Sequence, residues 1–150
     1  MRIVVQRVKY ARCVIDGECV GETGRGVLAL IGINTGDDIK VIDNMLKKMS
    51  TLRIFEDAEG KMNLSTADIG GGLLLIPNFT IYADARKGTR PSFAMGAKPD
   101  EAKEIFETMV KRAKETLNIK VESGVFQADM KIELLNDGPV TILLDSDKIL

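Results

Sequence analysis

Residues 2–33 read RIVVQRVKYARCVIDGECVGETGRGVLALIGI, and their pattern sets the fold class. Residues 2–8 and 11–20 are rich in β-branched side chains, which fit a pleated sheet, and turn chemistry divides them into a strand and a hairpin. Asp16-Gly17 marks the hairpin, because a two-residue turn needs positive φ at its central positions and these residue types tolerate it. The expected pairing is Ile15 with Glu18, Val14 with Cys19 and Cys13 with Val20, so the two sulfurs do not face each other. Residues 21–26 (GETGRG) form a glycine-punctuated loop. No Gly-Lys-Ser/Thr follows, and the next segment, residues 27–33, is an apolar strand rather than a helix start. The loop therefore reads as a turn and not as a phosphate loop.

Outward from this region the pattern turns helical. Residues 37–50 place Ile39, Ile42, Met45, Leu46 and Met49 at three- and four-residue spacing, with acidic residues first and lysines last, an amphipathic helix matched to its dipole. A strand over residues 52–55 and a turn at 58–60 follow. Residues 73–81 (LLLIPNFTI) read as a buried strand interrupted by Pro77, which implies an edge, a bulge or an end. Pro99 and Asp100 open a second helix that runs to about residue 117, with Ala102, Ile105, Phe106, Met109, Val110 and Ala113 on one face. Strands are expected at 120–126, 130–135 and 140–144, the last two joined by a turn at Asn136-Asp137-Gly138-Pro139. No repeat or linker appears, so residues 1–150 are expected to form one mixed α/β domain, with barrel-like sheet layers and two main helices. Exposed strand edges favour a C2 dimer.

Composition narrows the chemistry. The chain of 150 residues contains no histidine. That removes Ser-His-Asp and Cys-His nucleophile systems, His-ligated metals and the usual neutral-pH general base. Two cysteines are too few for a Cys-only zinc site, and no metal is expected. With 21 Lys+Arg against 22 Asp+Glu, the net charge of −1 gives no global attraction to nucleic acid or to an anionic membrane. No signal peptide or membrane-spanning run is evident, and cytoplasmic residence is the default expectation.

Three clusters carry more than packing. Ile76-Pro77-Asn78-Phe79-Thr80-Ile81 is a polar break in an apolar strand, where backbone N–H groups freed from the ladder can face a ligand; a proline bulge around a packed phenylalanine fits the same residues. Arg86, Lys87 and Arg90 lie within five residues on a loop containing Gly88 and Pro91. That cluster is either a phosphate-binding patch or solvated surface. Gly138-Pro139 is either an ordinary trans turn or a cis turn that aims two carbonyl oxygens the same way.

In order and spacing, Phe79-Thr80, Lys87-Gly88-Thr89-Arg90-Pro91-Ser92-Phe93 and Asn136-Asp137-Gly138-Pro139-Val140-Thr141 resemble the D-aminoacyl-tRNA deacylases. Gln6-Arg7-Val8, Leu52-Arg53-Ile54-Phe55, Gly60-Lys61-Met62-Asn63 and Ala128-Asp129-Met130 extend the resemblance over essentially the whole chain. It implies a cytoplasmic homodimer that hydrolyses the ester between a D-amino acid and the 3′ adenosine of tRNA, without metal or organic cofactor. Mischarged glycyl-tRNA is an expected second substrate, since a site that rejects L side chains by steric conflict has nothing to strike in glycine. The resemblance further implies that Asn78, Phe79 and Thr80 line the reaction centre. Gly138-Pro139 is then cis and enters the partner's pocket to select chirality, supported by Arg7, Asn136 and Met130, while Arg86, Lys87 and Arg90 hold tRNA phosphates.

With no base evident beside Thr80, preorganised backbone N–H groups near Phe79 and Thr80 are the expected oxyanion donors, aided by the ribose 2′-hydroxyl; Thr80 as a covalent nucleophile is the rival mechanism. Two departures stand out. The family usually has Ser-Gln-Phe-Thr where Pro77-Asn78-Phe79-Thr80 stands here, and Gln127 occupies a position that is usually glycine. A chirality-relaxed deacylase acting on L-alanyl-tRNA also carries the proline but lacks the Phe79, Val140 and Thr141 pattern. That subgroup and a non-catalytic dimeric nucleic-acid-binding protein are the alternative readings.

Overall fold

A computed structural model describes residues 1–149; Leu150, the last residue of the expected domain, lies outside the described residues. The organising element is β1 (Arg2–Ile15), one continuous strand where the sequence pattern divides it in two. It passes from one partner to the next along one edge: Arg2–Val8 pair antiparallel with β3 (Gly26–Gly32), and Ala11–Ile15 pair with β2 (Glu18–Thr23). What looks like turn chemistry at Lys9-Tyr10 is this hand-over. The β1–β2 hairpin turns at Asp16 and Gly17, both with positive φ (49° and 80°). Its register holds for Ile15–Glu18 and Val14–Cys19, but a bulge then pairs Cys13 with Gly21 instead of Val20. Cys13 is buried and Cys19 exposed, both as free thiols.

β3 lies parallel to β6 (Gly72–Pro77), and β6 parallel to β7 (Lys120–Ser123), which ends three residues before the expected boundary. β3 and β6, buried on both faces, are apolar throughout, whereas β7 at the edge buries only Val121. Val27, Ala29, Ile31, Leu73 and Leu75 face a core completed by Ile42, Met45, Leu46 and Met49 of α1 (Ile39–Thr51) and by Ala102, Phe106, Met109 and Ala113 of α2 (Pro99–Thr116). Leu28, Leu74 and Ile76 face the other way, joining Val8, Ala11 and Cys13 inside the curled sheet. Asp38 caps α1 by accepting the Val41 N–H at 2.9 Å. The seam is drawn shut where the Glu122 carboxylate on β7 accepts the Glu22 N–H of β2 at 2.5 Å, giving the barrel-like closure. The expected strand at 52–55 shrinks to β4 (Phe55–Glu56), paired with an unforeseen β5 (Met62–Leu64) around the 58–60 turn.

The largest departure is at the C-terminus. Residues 131–145 form one strand, β8 (Lys131–Asp145), not two strands and a hairpin turn. Both halves pair antiparallel with β1, Lys131–Asn136 against Val14–Val8 and Thr141–Asp145 against Gln6–Arg2, so the chain never reverses. Asp137, Gly138, Pro139 and Val140 instead bulge out opposite Arg7.

Candidate active site

Pro77 ends β6. It pairs in register with Ile31 but has no N–H to offer on the side of β7, and the expected strand to Ile81 gives way to a 3₁₀ turn over Phe79–Tyr82. The Asn78 N–H takes the Ile31 carbonyl at 2.7 Å. Its side-chain Oδ1 accepts both the Thr80 N–H (3.2 Å) and the Thr80 hydroxyl (2.5 Å). The N–H groups of Ile81 and Ala83 go to the carbonyls of Asn78 and Thr80. Among the described residues, the Phe79 N–H has no protein acceptor. An N–H can only donate, so Thr80 fixes which end of the Asn78 carboxamide is oxygen and leaves the Nδ2 amide without a protein acceptor.

The Phe79 ring is 62% exposed and meets Phe93 edge-to-face at 5.3 Å. An antiparallel bridge between Asp84 and Ser92 closes the intervening loop and brings Phe93 back to Phe79. Arg86 staples the loop mouth, its Nε and Nη2 reaching the two Asp84 oxygens at 2.8 and 2.7 Å. These hydrogen bonds hold the Asp84 carboxyl far below the usual carboxylate range. Of the three basic residues on this loop, Lys87 and Arg90 are exposed with no ion-pair partner among the described residues, while the charge of Arg86 is offset locally.

The third cluster lies on β1 and β8. The peptide bond between Gly138 and Pro139 is cis, and both residues are exposed. The buried Arg7 guanidinium spans the bulge: Nε donates to the Asp137 carbonyl at 3.1 Å, and Nη1 to the Ile54 carbonyl at 2.7 Å. The Asn136 amide ties the bulge from below, donating to the carbonyls of Arg7 (2.9 Å) and Val140 (3.1 Å). Met130 stands apart, packed against the inner core with its sulfur over Gly124.

A family model described as D-Tyr-tRNA(Tyr) deacylase matches residues 4–145. The chain belongs to this family. It is 55% identical over 148 residues to a D-aminoacyl-tRNA deacylase of Kosmotoga olearia, covering 99% of both chains. Its identity to the proteins of that name from Desulfitobacterium hafniense and Thermosipho africanus is 49% and 48%, again over 99% of each chain. Among solved structures, a c-Myc DNA unwinding element binding protein superposes with a TM-score of 0.91 at 34% identity, over 97% of this chain and 99% of that one. A probable eukaryotic D-amino acid tRNA deacylase shares the fold at a TM-score of 0.75 and 18% identity, over 96% and 98% of the two chains. Among the described residues, no helix is long and apolar enough to cross a membrane.

Against this family frame, sequence reasoning left Asp84 and Phe93 without roles and missed the carboxamide clamp. The signals were local. Asp84-x-Arg86 and Asn78-x-Thr80 both have the two-residue spacing at which an Asp or Asn oxygen reaches the backbone ahead of it.

Proposed function

We propose that this chain hydrolyses the ester joining a D-amino acid, or glycine, to the 3′ end of tRNA, and that it does so without a nucleophilic side chain. The observation that carries the reading is the 78–80 turn in a chain that matches the deacylases along its length. An aminoacyl ester is already activated, so orienting it and stabilising the developing oxyanion is the larger part of the task. The Phe79 N–H and the Asn78 Nδ2 amide are the two donors left over for that oxygen. The expectation that the Thr80 N–H serves as well is revised: it is spent on Asn78. The Thr80 hydroxyl donates to a carboxamide oxygen, which is no base, and so holds Asn78 rather than attacking the ester.

Chirality selection falls to Gly138 and Pro139 of a second copy. Within one chain they lie opposite Arg7, which is level with Val27, whereas the site begins at Pro77, level with Ile31 and Ile3. That is four residues along and three strands across, about 20 Å over the sheet surface. β8 pairs only with β1 among the described strands, leaving its outer edge for a partner, with exposed Leu135 and Leu143 on either side of the bulge. Lys87 and Arg90 then meet tRNA phosphates, with Arg86 shaping the loop.

The test is hydrolysis of D-tyrosyl-, glycyl-, L-alanyl- and L-tyrosyl-tRNA by the purified protein. Turnover of the first two alone is the expected result. Binding of tRNA without turnover would favour the nucleic-acid-binding reading, which the name of the 34%-identical structural neighbour keeps in view. Turnover of L-alanyl-tRNA at the D rate would place the chain with the chirality-relaxed enzymes.

A further inference from the structure

The GETGRG loop, set aside above as a plain turn, lines a cavity of about 440 Å³. The walls are Thr23–Arg25 from the β2–β3 connection, Ile69–Gly72 leading into β6, and Asn118–Lys120 leading into β7. These are the N-terminal ends of the three parallel strands, while the Phe79 turn lies beyond the C-terminal end of β6, about 17 Å away along the strand. The cavity is therefore separate from the site described above.

The lining is cationic in a chain whose net charge is −1: it contains Arg25 and Lys120 and no carboxylate. Arg25 has no ion-pair partner among the described residues, and its guanidinium lies 5.5 Å from the centre of the Phe55 ring. Its backbone is pinned by the Gly72 N–H, which donates to the Arg25 carbonyl at 3.2 Å. Lys120 Nζ lies 3.1 Å from Glu122, so Arg25 is the less compensated of the two cations. Thr23 is buried, and its hydroxyl has no hydrogen-bond partner, an uncommon condition for a buried polar atom. One wall is bare backbone of necessity. A β-carbon on residue 72 would collide with Thr23 Oγ1, and one on residue 71 would come within 2.9 Å of the Arg25 carbonyl. The Gly24 and Arg25 N–H groups have no protein acceptor among the described residues. Ile69 and Ile119 add apolar surface.

We infer that this cavity binds a phosphate ester, with Arg25 and Lys120 on the phosphate and the two isoleucines against the attached organic group. A planar guanidinium fork and an ammonium match phosphate oxygens, and the cavity is within the size range of small-ligand sites. The phosphate can come from a free nucleotide or from an RNA backbone.

The test is an NMR titration of the full-length protein with adenosine 5′-monophosphate, following the Gly24, Arg25 and Ile119 amides. Saturable shifts at millimolar ligand are expected, and Arg25→Gln combined with Lys120→Gln should weaken binding about tenfold or more. Lys120→Gln alone, which leaves the Arg25–Phe55 packing in place, should weaken it by a smaller factor. No shift at these amides, or the same affinity in the double variant, overturns the inference. Measuring tRNA binding against salt with the same double variant separates the two sources. A salt slope shallower by about 0.9 for each lost phosphate contact identifies RNA, and an unchanged slope with lost nucleotide binding identifies a small organic phosphate. Neither arm depends on deacylation, so the site stands or falls apart from the proposed activity.

Discussion

Asn78→Asp separates the two jobs that the clamped carboxamide performs. An aspartate keeps the oxygen that accepts from the Thr80 N–H and hydroxyl, 3.2 and 2.5 Å away, and it caps a turn as well as asparagine does. Folding stability should therefore stay within about 0.5 kcal/mol of the parent. What changes is the other end, where Nδ2 becomes an acceptor facing the developing oxyanion. Losing one such donor typically costs about 10² to 10³ in kcat. Asn78 is only half-buried, so the lower end applies: a fall of about 10² in kcat on D-tyrosyl-tRNA, with tRNA affinity unmoved. Single-turnover deacylation under saturating enzyme measures this directly. Thr80→Val should cost about tenfold alone, the scale of one lost hydrogen bond. It should cost almost nothing in the Asn78→Asp background, since Thr80 acts through Asn78. Thr80→Ser should behave as the parent. A Asn78→Asp variant within threefold of the parent refutes the donor role, and a trapped acyl-enzyme on Thr80 refutes the scheme altogether.

Arg7→Lys should lower Tm by about 4–10 °C in a thermal melt, because one ammonium cannot hold the Ile54 and Asp137 carbonyls together and a charge-assisted bond of about 1.5–3 kcal/mol is lost. It should also reduce deacylation while leaving tRNA binding intact. Gln127 sits at φ 64°, in the left-handed region. Gln127→Gly should therefore raise Tm by about 1–3 °C, and a fall would show that the side chain does more than occupy a strained position. The carboxyls of Asp43, Asp57, Asp68, Asp84 and Glu122 are all lowered, chiefly by hydrogen bonds from Arg112, the Lys61 N–H, the Ser65 N–H, Arg86 and the Glu22 N–H respectively. A lowered folded-state value stabilises the fold above the ordinary carboxylate range and is lost as pH falls through it. Denaturant midpoints should thus hold steady near neutrality and drop below about pH 4. Tyr82 is raised by burial, so stability should fall again as pH climbs past about 10.

What the sequence makes legible here is what local physics decides. Both helices carry their apolar period within themselves, α1 has its Asp38 cap and α2 its opening Pro99, and Asp16-Gly17 needs only its own backbone to declare a hairpin. The bulge that moves Cys13 from Val20 to Gly21 is tertiary. Gly21 lies so close to β7 that a β-carbon there would approach the Ser123 carbonyl to 2.7 Å. The Asn-Asp-Gly-Pro run has the composition of a chain reversal, and composition does not distinguish a reversal from a bulge. The deciding fact is that both flanks pair with β1, more than a hundred residues upstream. Arg86 shows the same limit: three basic residues on a loop look alike in sequence, and only the fold shows which one already has its carboxylate.

The two departures at positions 77 and 78 belong together. Proline has no N–H to offer on the β7 side, so β6 stops there; the Asn78 N–H makes the last ladder bond to β3, at the Ile31 carbonyl, and the turn begins one residue beyond. From there the short asparagine side chain reaches the Thr80 N–H, a local closure that a glutamine, one methylene longer, does not make as readily. If the pair is one solution, exchanging half of it should be worse than exchanging both. Asn78→Gln alone should uncap the turn, at about 1 kcal/mol, and scatter the Phe79 and side-chain donors, so kcat falls more than Tm does. Adding Pro77→Ser recreates the usual Ser-Gln-Phe-Thr and should recover most of the lost kcat. The coupling between the two substitutions, read as a double-mutant cycle in kcat/KM, should exceed the error of additivity for independent sites, about 0.5 kcal/mol. Simple additivity would mean that proline and asparagine arrived at this turn for unrelated reasons, and that the geometry around Phe79 does not depend on their combination.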